Sequence, residues 1–369
     1  MIKVLHVLSD VKIGGAGSWL LNLLRSIDKD RFDIKVVLPQ GSMLIDKVRG
    51  LGFEAIPVDG MKDKSFDPAV VGQLLNIFRR ERPHIVHTHA SLSARLAARL
   101  AGARIINTKH CMDSRKTGVK KLAGACLNSL LSDRIIAVSE AVKRNVADNG
   151  TPDGKISVIY GGISRVLELS PEEKNRIRAK WGIADEETVV GIVARLTEVK
   201  GHKYFIEAAE IISRNNSRVR FLIAGAGPKE QELRKLAEAK GLGDKIVFTG
   251  FVDNIHEILN IIDINVISSL SEALCLSIIE GMCIGKPSVG TDKGGIPEVI
   301  RDGYNGFVVS AGDSAMLAEA VLKLIRDPEL GRTMGEKGRE LVERYFTADA
   351  MAKGIGELYE LMAKKNGRE

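Results

Sequence analysis

Cysteine is scarce in this chain: Cys111, Cys126, Cys275 and Cys283 are the only four in 369 residues, and no two of them form a CxxC pair. That spacing offers no disulfide framework and no zinc site, so the four are expected to be small buried thiols without chemistry. Aromatic residues are also few, with five Tyr and two Trp. With so few stacking platforms and no run of basic residues, a nucleic-acid partner is not expected. No apolar run approaches the roughly 20 residues of a membrane-spanning helix. The chain opens directly on the strand-like IKVLHVL, with no cleavable signal in view, so a cytoplasmic protein is expected. Low-complexity tracts and short tandem repeats are absent too.

What is present is length for two cores and an uneven charge. A chain of 369 residues exceeds one ordinary domain. Residues 1–165 hold 26 Lys and Arg against 15 Asp and Glu, while residues 166–369 hold 28 against 32. The basic first half points toward an anionic partner, such as a membrane surface or a phosphorylated acceptor, with solvated lysines as the plain alternative. Short β-branched runs alternate with helix-length segments. IKVLHVL, DIKVVLP, EAIPV, HIVHTHA, RIINTK, RIIAVS and KISVIYGG read as strands of a first parallel α/β domain. After a polar interval from about Ser164 to Glu187, TVVGIVAR, FLIAGAG, IVFTGF, INVIS, KPSVGT and GFVVS begin a second. The fold class is therefore α/β, with two Rossmann-like, doubly wound parallel-sheet domains over residues 1–165 and 166–345. The stretch from Ala315 to about Lys364 is helical by period.

Several motifs carry chemistry. Gly14, Gly15 and Gly17 follow the first strand and open the helix SWLLNLLRSI, a place where bare backbone and a helix N-terminus favour phosphate. The spacing is not GxGxxG, so a dinucleotide cofactor is not expected. His87, His89 and His110 lie at the ends of the fourth and fifth strands, the edge where open α/β sheets bind ligands. His87 and His89 share a strand face without a nearby carboxylate, which favours packing or hydrogen bonding over a metal. Within SEALCLSIIEGMCIGKPSVGTDKGGIPEVIRDGYNG, Glu272 falls before an apolar helix and Glu280 in its first turns, both facing one cleft. A carboxylate accepts two hydrogen bonds from a vicinal diol, the group offered by ribose and hexose alike.

The ordered set VVGIVARLTEVKG, FLIAGAGP, IVFTGFVDN, the double-glutamate segment and GGIPEVI, over residues 189–310, resembles the signature of retaining glycosyltransferases of family 4. The first half resembles that family more loosely through VLSDVKIGGAGSWLLNL. Members have the GT-B architecture, two Rossmann-like domains that close around a nucleotide-sugar. The resemblance implies an acceptor-side first domain, a donor-side second domain and a final helix, within residues 346–369, that crosses back to the first. It implies that Arg195 and Lys200 hold the diphosphate, Glu280 the ribose, and Glu272 with the amides of Ala273, Leu274, Cys275 and Leu276 the donor sugar. Phe251 and Val252 would face the base, Gly225 the nucleotide, Gly14 and Gly15 the donor phosphates and acceptor, and His110 the transferred sugar. Many relatives carry Gly, Phe and Gly where this chain has Ala273, Leu274 and Cys275, so the sugar is not implied.

The implied reaction is retaining hexosyl transfer from a nucleotide-diphosphate sugar, with uridine as the commonest base, to an unidentified hydroxyl acceptor, such as a lipid-linked or cell-envelope glycan. No cofactor and no metal are expected: the only DxD string, Asp28-Lys29-Asp30, reads as a capping loop. The alternatives are a GT-B sugar-nucleotide 2-epimerase and a non-catalytic nucleotide-sugar binder. Residues 114–134 read as a basic amphipathic helix, either core-facing or resting on an anionic membrane as in relatives with lipid acceptors. Acceptor contacts are expected from loops such as 60–68 and 111–120.

Overall fold

The computed structural model describes residues 1–61 and 65–364; residues 62–64 of the expected acceptor loop 60–68 lie outside them. Contacts divide the chain into two compact units, one of Met1–Ser164 with the segment from Phe346 onward, the other of Arg165–Tyr345. The first unit runs β1 (Ile2–Val7), α1 (Gly15–Ser26), β2 (Phe32–Pro39), α2 (Leu44–Gly50), β3 (Glu54–Val58), α3 (Pro68–Glu81), β4 (Ile85–His89), α4 (Leu92–Leu100), β5 (Arg104–Lys109), α5 (Gly118–Leu131), β6 (Arg134–Ala137), α6 (Glu140–Asp148) and β7 (Ile156–Val158). The second runs α7 (Pro171–Lys180), β8 (Thr188–Val193), α8 (His202–Asn215), β9 (Val219–Ala224), α9 (Glu230–Ala239), β10 (Ile246–Gly250), α10 (Ile255–Ile261), β11 (Ile264–Ile267), α11 (Leu276–Cys283), β12 (Ser288–Thr291), α12 (Ile296–Val299), β13 (Gly306–Val309), α13 (Ser314–Arg326) and α14 (Pro328–Tyr345). The final helix, α15 (Ala348–Lys364), packs on α1, β1 and β4 of the first unit.

All thirteen strands read from the sequence form, and every ladder is parallel. The sheets run β3-β2-β1-β4-β5-β6-β7 and β10-β9-β8-β11-β12-β13. The β-branched strands are covered on both faces, which is why they read as continuous apolar runs. In each sheet the winding reverses once, between β1 and β4 and between β8 and β11. There the loops leaving adjacent strands run to opposite faces and open a crevice at their carboxyl ends.

The polar interval after Ser164 contains α7. Its Ser170 hydroxyl accepts from the Glu173 amide while the Glu173 carboxylate accepts from the Ser170 amide, the reciprocal capping that S-x-x-E encodes. The Asp28-Lys29-Asp30 turn is local, with the Asp28 carboxylate accepting from the amides of Asp30 and Arg31. Two thiols depart from expectation: Cys111 and Cys126 are exposed, one in the loop after β5 and the other on α5, which buries no residue.

Helix α14 approaches the turn after α11 closely. A Cβ on Gly335 would stand 1.9 Å from the Gly285 carbonyl oxygen, whereas one on Gly331 would meet only Pro287 Cγ at 3.6 Å. Gly335→Ala is expected to destabilise the protein by about 1–3 kcal/mol. Gly331→Ala should be neutral or stabilise by up to about 1 kcal/mol. Urea unfolding of the pair measures this, and equal effects would contradict the packing.

Candidate active site

In the second unit the switch-point loops are stitched together by bare backbone. The Leu270 amide donates to the Val199 carbonyl at 2.7 Å, and the Ser268 hydroxyl donates to the carbonyls of Lys200 at 3.2 Å and Gly201 at 3.0 Å. Gly201 has φ +64°, and a Cβ there would lie 2.0 Å from the Ser268 carbonyl oxygen. From the other side, the Gly295 amide donates to the Glu272 carbonyl at 3.1 Å. A Cβ on Gly294 would stand 1.7 Å from that same oxygen. Neither Gly201 nor Gly294 leaves room for a Cβ, so the loop after β11 is clamped between the loops after β8 and β12.

The clamp brings two sequence-predicted residues together: the Lys200 ammonium is hydrogen-bonded to the Glu272 carboxylate. Both are largely shielded from solvent. The Ser269 hydroxyl at 3.4 Å and the Ala273 amide at 3.3 Å add donors to the same carboxylate. Arg195, on the same loop as Lys200, is exposed, and no side-chain partner engages it among the described residues. Gly225 is occupied by the protein itself. A Cβ there would stand 2.1 Å from the Ala194 carbonyl oxygen, so its place is to support the Arg195 loop. Phe251 is 55% exposed, a free flat surface after β10, with Val252 half-buried beside it.

Ala273, Leu274 and Cys275 are buried, and Leu276 half-buried begins α11, so this stretch offers backbone rather than side chains. Cys275 is the N-cap of α11 at φ +72°, ψ +75°. That left-handed conformation costs a residue with a Cβ about 1–2 kcal/mol. The glycine of the resembled family pattern fits the same geometry without strain. Burial first, and the charge of Glu272 second, push the Cys275 thiol up to about 12, so it stays neutral.

Glu280 lies at the start of the second turn of α11, flanked by the buried Ile278, Ile279, Gly281 and Met282. No hydrogen bond or ion pair engages its carboxylate among the described residues, and burial pushes it up to about 7. An unpaired, partly buried carboxylate is destabilising when ionised and suited to accept from a ligand diol.

In the first unit, Gly14 is the extended N-cap of α1 and Gly15 its first residue. A Cβ on Gly15 would meet nothing within 4 Å, which leaves the N-terminus of α1 open to a ligand. Gly17 is packing: a Cβ there would stand 3.2 Å from the Leu44 side chain. His87 and His89 share one face of β4 and are buried, in hydrogen-bonded roles as their alternation implies. His110, just past β5, is half-buried and shares a 2.8 Å hydrogen bond with His89.

Three partners of these histidines escaped the sequence reading: His6 on β1, Trp19 on α1 and Tyr359 on α15. Strand register could have found His6, since β1 and β4 pair His6 with His87. Nothing local marks Tyr359.

A carboxyl raised in the folded state binds protons that the unfolded chain has released. The stability it contributes is complete below 4.5, the ordinary value, and is lost as pH rises through about 7. Glu280→Gln should therefore be more stable than the parent at pH 8, by on the order of 2 kcal/mol, with the gap closing toward pH 5. Urea unfolding at both pH values checks this, and a pH-independent gap would contradict the burial.

The glycosyl transferases group 1 model matches residues 173–341 and the glycosyltransferase family 4 model residues 13–167. EpsD of Bacillus subtilis (strain 168) is 34% identical over 321 residues, covering 82% of this chain and 84% of that protein. N-acetyl-alpha-D-glucosaminyl L-malate synthase of Bacillus anthracis is 28% identical over 318 residues, 82% of each chain. In fold, the chain matches the structure of Anabaena Alr3699/HepE in complex with UDP-glucose at a TM-score of 0.88. That match has 21% identity and covers 98% of this chain and all of that one. Two parallel Rossmann-like units, the ordered motifs and these likenesses agree: the chain belongs to the family 4 glycosyltransferases, with the GT-B fold.

Proposed function

We propose that this chain transfers a hexosyl group from a UDP-sugar to an acceptor hydroxyl, with retention at the anomeric carbon and without a divalent ion. The observation that carries the reading is the Lys200–Glu272 pair at the second unit's switch point. Breaking the bond between the anomeric carbon and the diphosphate builds negative charge on the leaving group. Lys200 and the unengaged Arg195 stabilise that charge more in the transition state than in the ground state. As the diphosphate takes Lys200, Glu272 is released to accept from a donor-sugar hydroxyl. Glu280, once ionised, accepts from both ribose hydroxyls, and Phe251 with Val252 offers a surface to the base. The same relative that matches in fold was solved with UDP and with UDP-glucose, which favours uridine as that base.

The chain supplies no assigned nucleophile, and a front-face path needs none. The acceptor oxygen bonds the anomeric carbon on the face the diphosphate leaves, and the acceptor proton passes to a diphosphate oxygen. His110 is assigned to the transferred sugar, and the open N-terminus of α1 at Gly14 and Gly15 to phosphate.

Helix α5 supports a lipid-linked acceptor presented at a membrane. It is built inside out. Its inward side is small and polar: Gly124 and Ala125 are half-buried and Asn128 bonds Arg95 and Thr151. Outward stand Val119, Leu122, Leu127 and Leu130, with Leu122 at 74% exposure. A core-facing helix would show the reverse. Arg115 and Lys116 precede the helix, Lys120 and Lys121 lie in its first turn, and all four belong to the basic end of this surface. Among the described residues no helix is long and apolar enough to cross a membrane, so contact would be peripheral. Each basic residue near an anionic surface contributes about 1 kcal/mol, and each leucine inserted about 1.5–3 kcal/mol.

Two experiments test these readings. With EDTA present, a UDP-sugar at a hundredfold excess over Kd should stabilise the protein by about 2.7 kcal/mol, seen as a higher Tm. Lys200→Ala and Glu280→Ala should each abolish the shift. A panel of UDP-, GDP- and ADP-sugars that gives no shift at all would contradict the donor assignment. In vesicle co-sedimentation, the triple change of Lys116, Lys120 and Lys121 to Ala should remove the preference for phosphatidylglycerol over phosphatidylcholine, and Leu122→Ser with Leu130→Ser should remove binding. Unchanged binding in both would refute membrane contact.

A further inference from the structure

Behind His110, six buried or half-buried groups form one unbranched hydrogen-bonded chain within the first unit. The Thr108 hydroxyl is 2.6 Å from His87 Nε2, and His87 Nδ1 is 2.7 Å from the Tyr359 hydroxyl. That hydroxyl is 3.0 Å from His6 Nε2, His6 Nδ1 is 3.1 Å from His89 Nε2, and His89 Nδ1 is 2.8 Å from His110 Nε2. The side chains of Thr108, His87, His6 and Tyr359 are completely shielded from solvent.

A metal is the first alternative to weigh, because nitrogens of His6, His87 and His89 lie within 4.8 Å of one another. The rings argue otherwise. His87 and His89 stack at 4.8 Å between centroids with 10° between their planes, so their in-plane lone pairs run side by side instead of converging. The nitrogens are taken up in the chain of hydrogen bonds. Burial also holds all four histidines far below their ordinary value, His6 and His110 down to about 3, so every ring is neutral with one proton.

Neutrality fixes the count. Six groups bring six protons to five hydrogen bonds, and because each bond uses one and each inner ring donates on one side and accepts on the other, the surplus proton falls on Thr108, Tyr359 or His110. On Tyr359 it would need both His87 and His6 to donate to that oxygen, and the completely shielded phenol O–H would then lack an acceptor among the described residues, which is costly. Two senses along the chain are left. In one sense each group donates toward Thr108, whose own O–H must then point away into the core. Thr108 has no second partner among the described residues, so that O–H would be a buried donor without an acceptor, which is costly. In the other sense Thr108 donates to His87, His87 to Tyr359, Tyr359 to His6, His6 to His89 and His89 to His110. The surplus proton then sits on His110 Nδ1, at the half-buried end of the chain, where no protein group engages it among the described residues.

We propose that Thr108 and Tyr359 are positioning residues that set the tautomer of His110, so that His110 carries its proton on Nδ1 and offers a hydrogen-bond donor there. The donor would meet an acceptor oxygen such as a hydroxyl of the transferred sugar; that last clause rests on the transferase reading, while the tautomer does not. The C-terminal helix thus contributes to the first unit's chemistry through one phenol.

The test is spectroscopic and needs no substrate. In the full chain labelled with 15N-histidine, long-range 1H–15N correlation reports which ring nitrogen carries the proton, and His110 is identified by the signals lost in His110→Asn. Wild type should show Nδ1 protonated. Tyr359→Phe and Thr108→Val remove the bias, so the Nδ1-protonated fraction should fall to about half, while Thr108→Ser should retain the wild-type pattern. An Nε2-protonated His110 in wild type overturns the proposal. So does a tautomer unmoved by Thr108→Val, or Thr108→Ser behaving like Thr108→Val. The Thr108 pair decides even where Tyr359→Phe fails to fold, which its Tm reports. If the tautomers respond as stated while no UDP-sugar binds, the transferase reading fails alone.

Discussion

The second unit depends on loops that touch backbone to backbone. Gly201, Gly294 and Gly295 let the segment from Ser268 to Ala273 lie against its neighbours at distances no Cβ would allow. Without those contacts Lys200 and Glu272 would be two charges on separate loops; with them they form one shielded ion pair. A shielded pair is a poor source of stability, because desolvation offsets much of the Coulomb attraction. In the proposed reaction its use is exchange: a diphosphate would offer Lys200 a better counter-charge and leave Glu272 free to accept from a hydroxyl. Chemistry here follows from packing, and the packing follows from glycine.

The first unit works by the opposite means. The carboxyl ends of its central strands are supported by large aromatic and imidazole side chains, with Trp19 edge-on to His89 and His110 and Tyr359 reaching in from a helix far along the sequence. Burial keeps these rings neutral, and neutrality makes the hydrogen-bond directions countable. The first unit also carries the inside-out helix α5, whose Leu122, Leu127 and Leu130 are exposed.

Much of this was legible in the sequence. All thirteen strands could be read, because a parallel sheet covered on both faces leaves short β-branched runs between helix-length segments. Lys200 and Glu272 were visible through the ordered motifs around them. The helix at Pro171–Lys180 was encoded by Ser170 and Glu173 but hidden by its polarity. Other features were out of reach for physical reasons. Gly225 resembles a ligand loop, yet its missing side chain makes room for the Ala194 carbonyl, a contact made across two strands. Cys275 gives no local sign that its backbone is left-handed. Tyr359 lies 353 residues from His6 in the sequence, and only the packing of α15 on α1 and β1 brings it there. The outward turn of α5 follows from the polarity of Asn128 and the partners it finds in Arg95 and Thr151, not from the period of its leucines.

The central claim is retaining transfer from a UDP-sugar, and it is tested most directly by the stereochemistry of the product. UDP-glucose and UDP-N-acetylglucosamine labelled with 13C at the anomeric carbon would be supplied with EDTA and a lipid extract as the source of acceptors. NMR would then follow that carbon. Appearance of an α-linked product together with free UDP is the result expected here. A β-linked first product would contradict retention, and an anomeric carbon that never leaves the diphosphate of either donor would contradict the account of Lys200 and Glu272 as transfer machinery for these sugars.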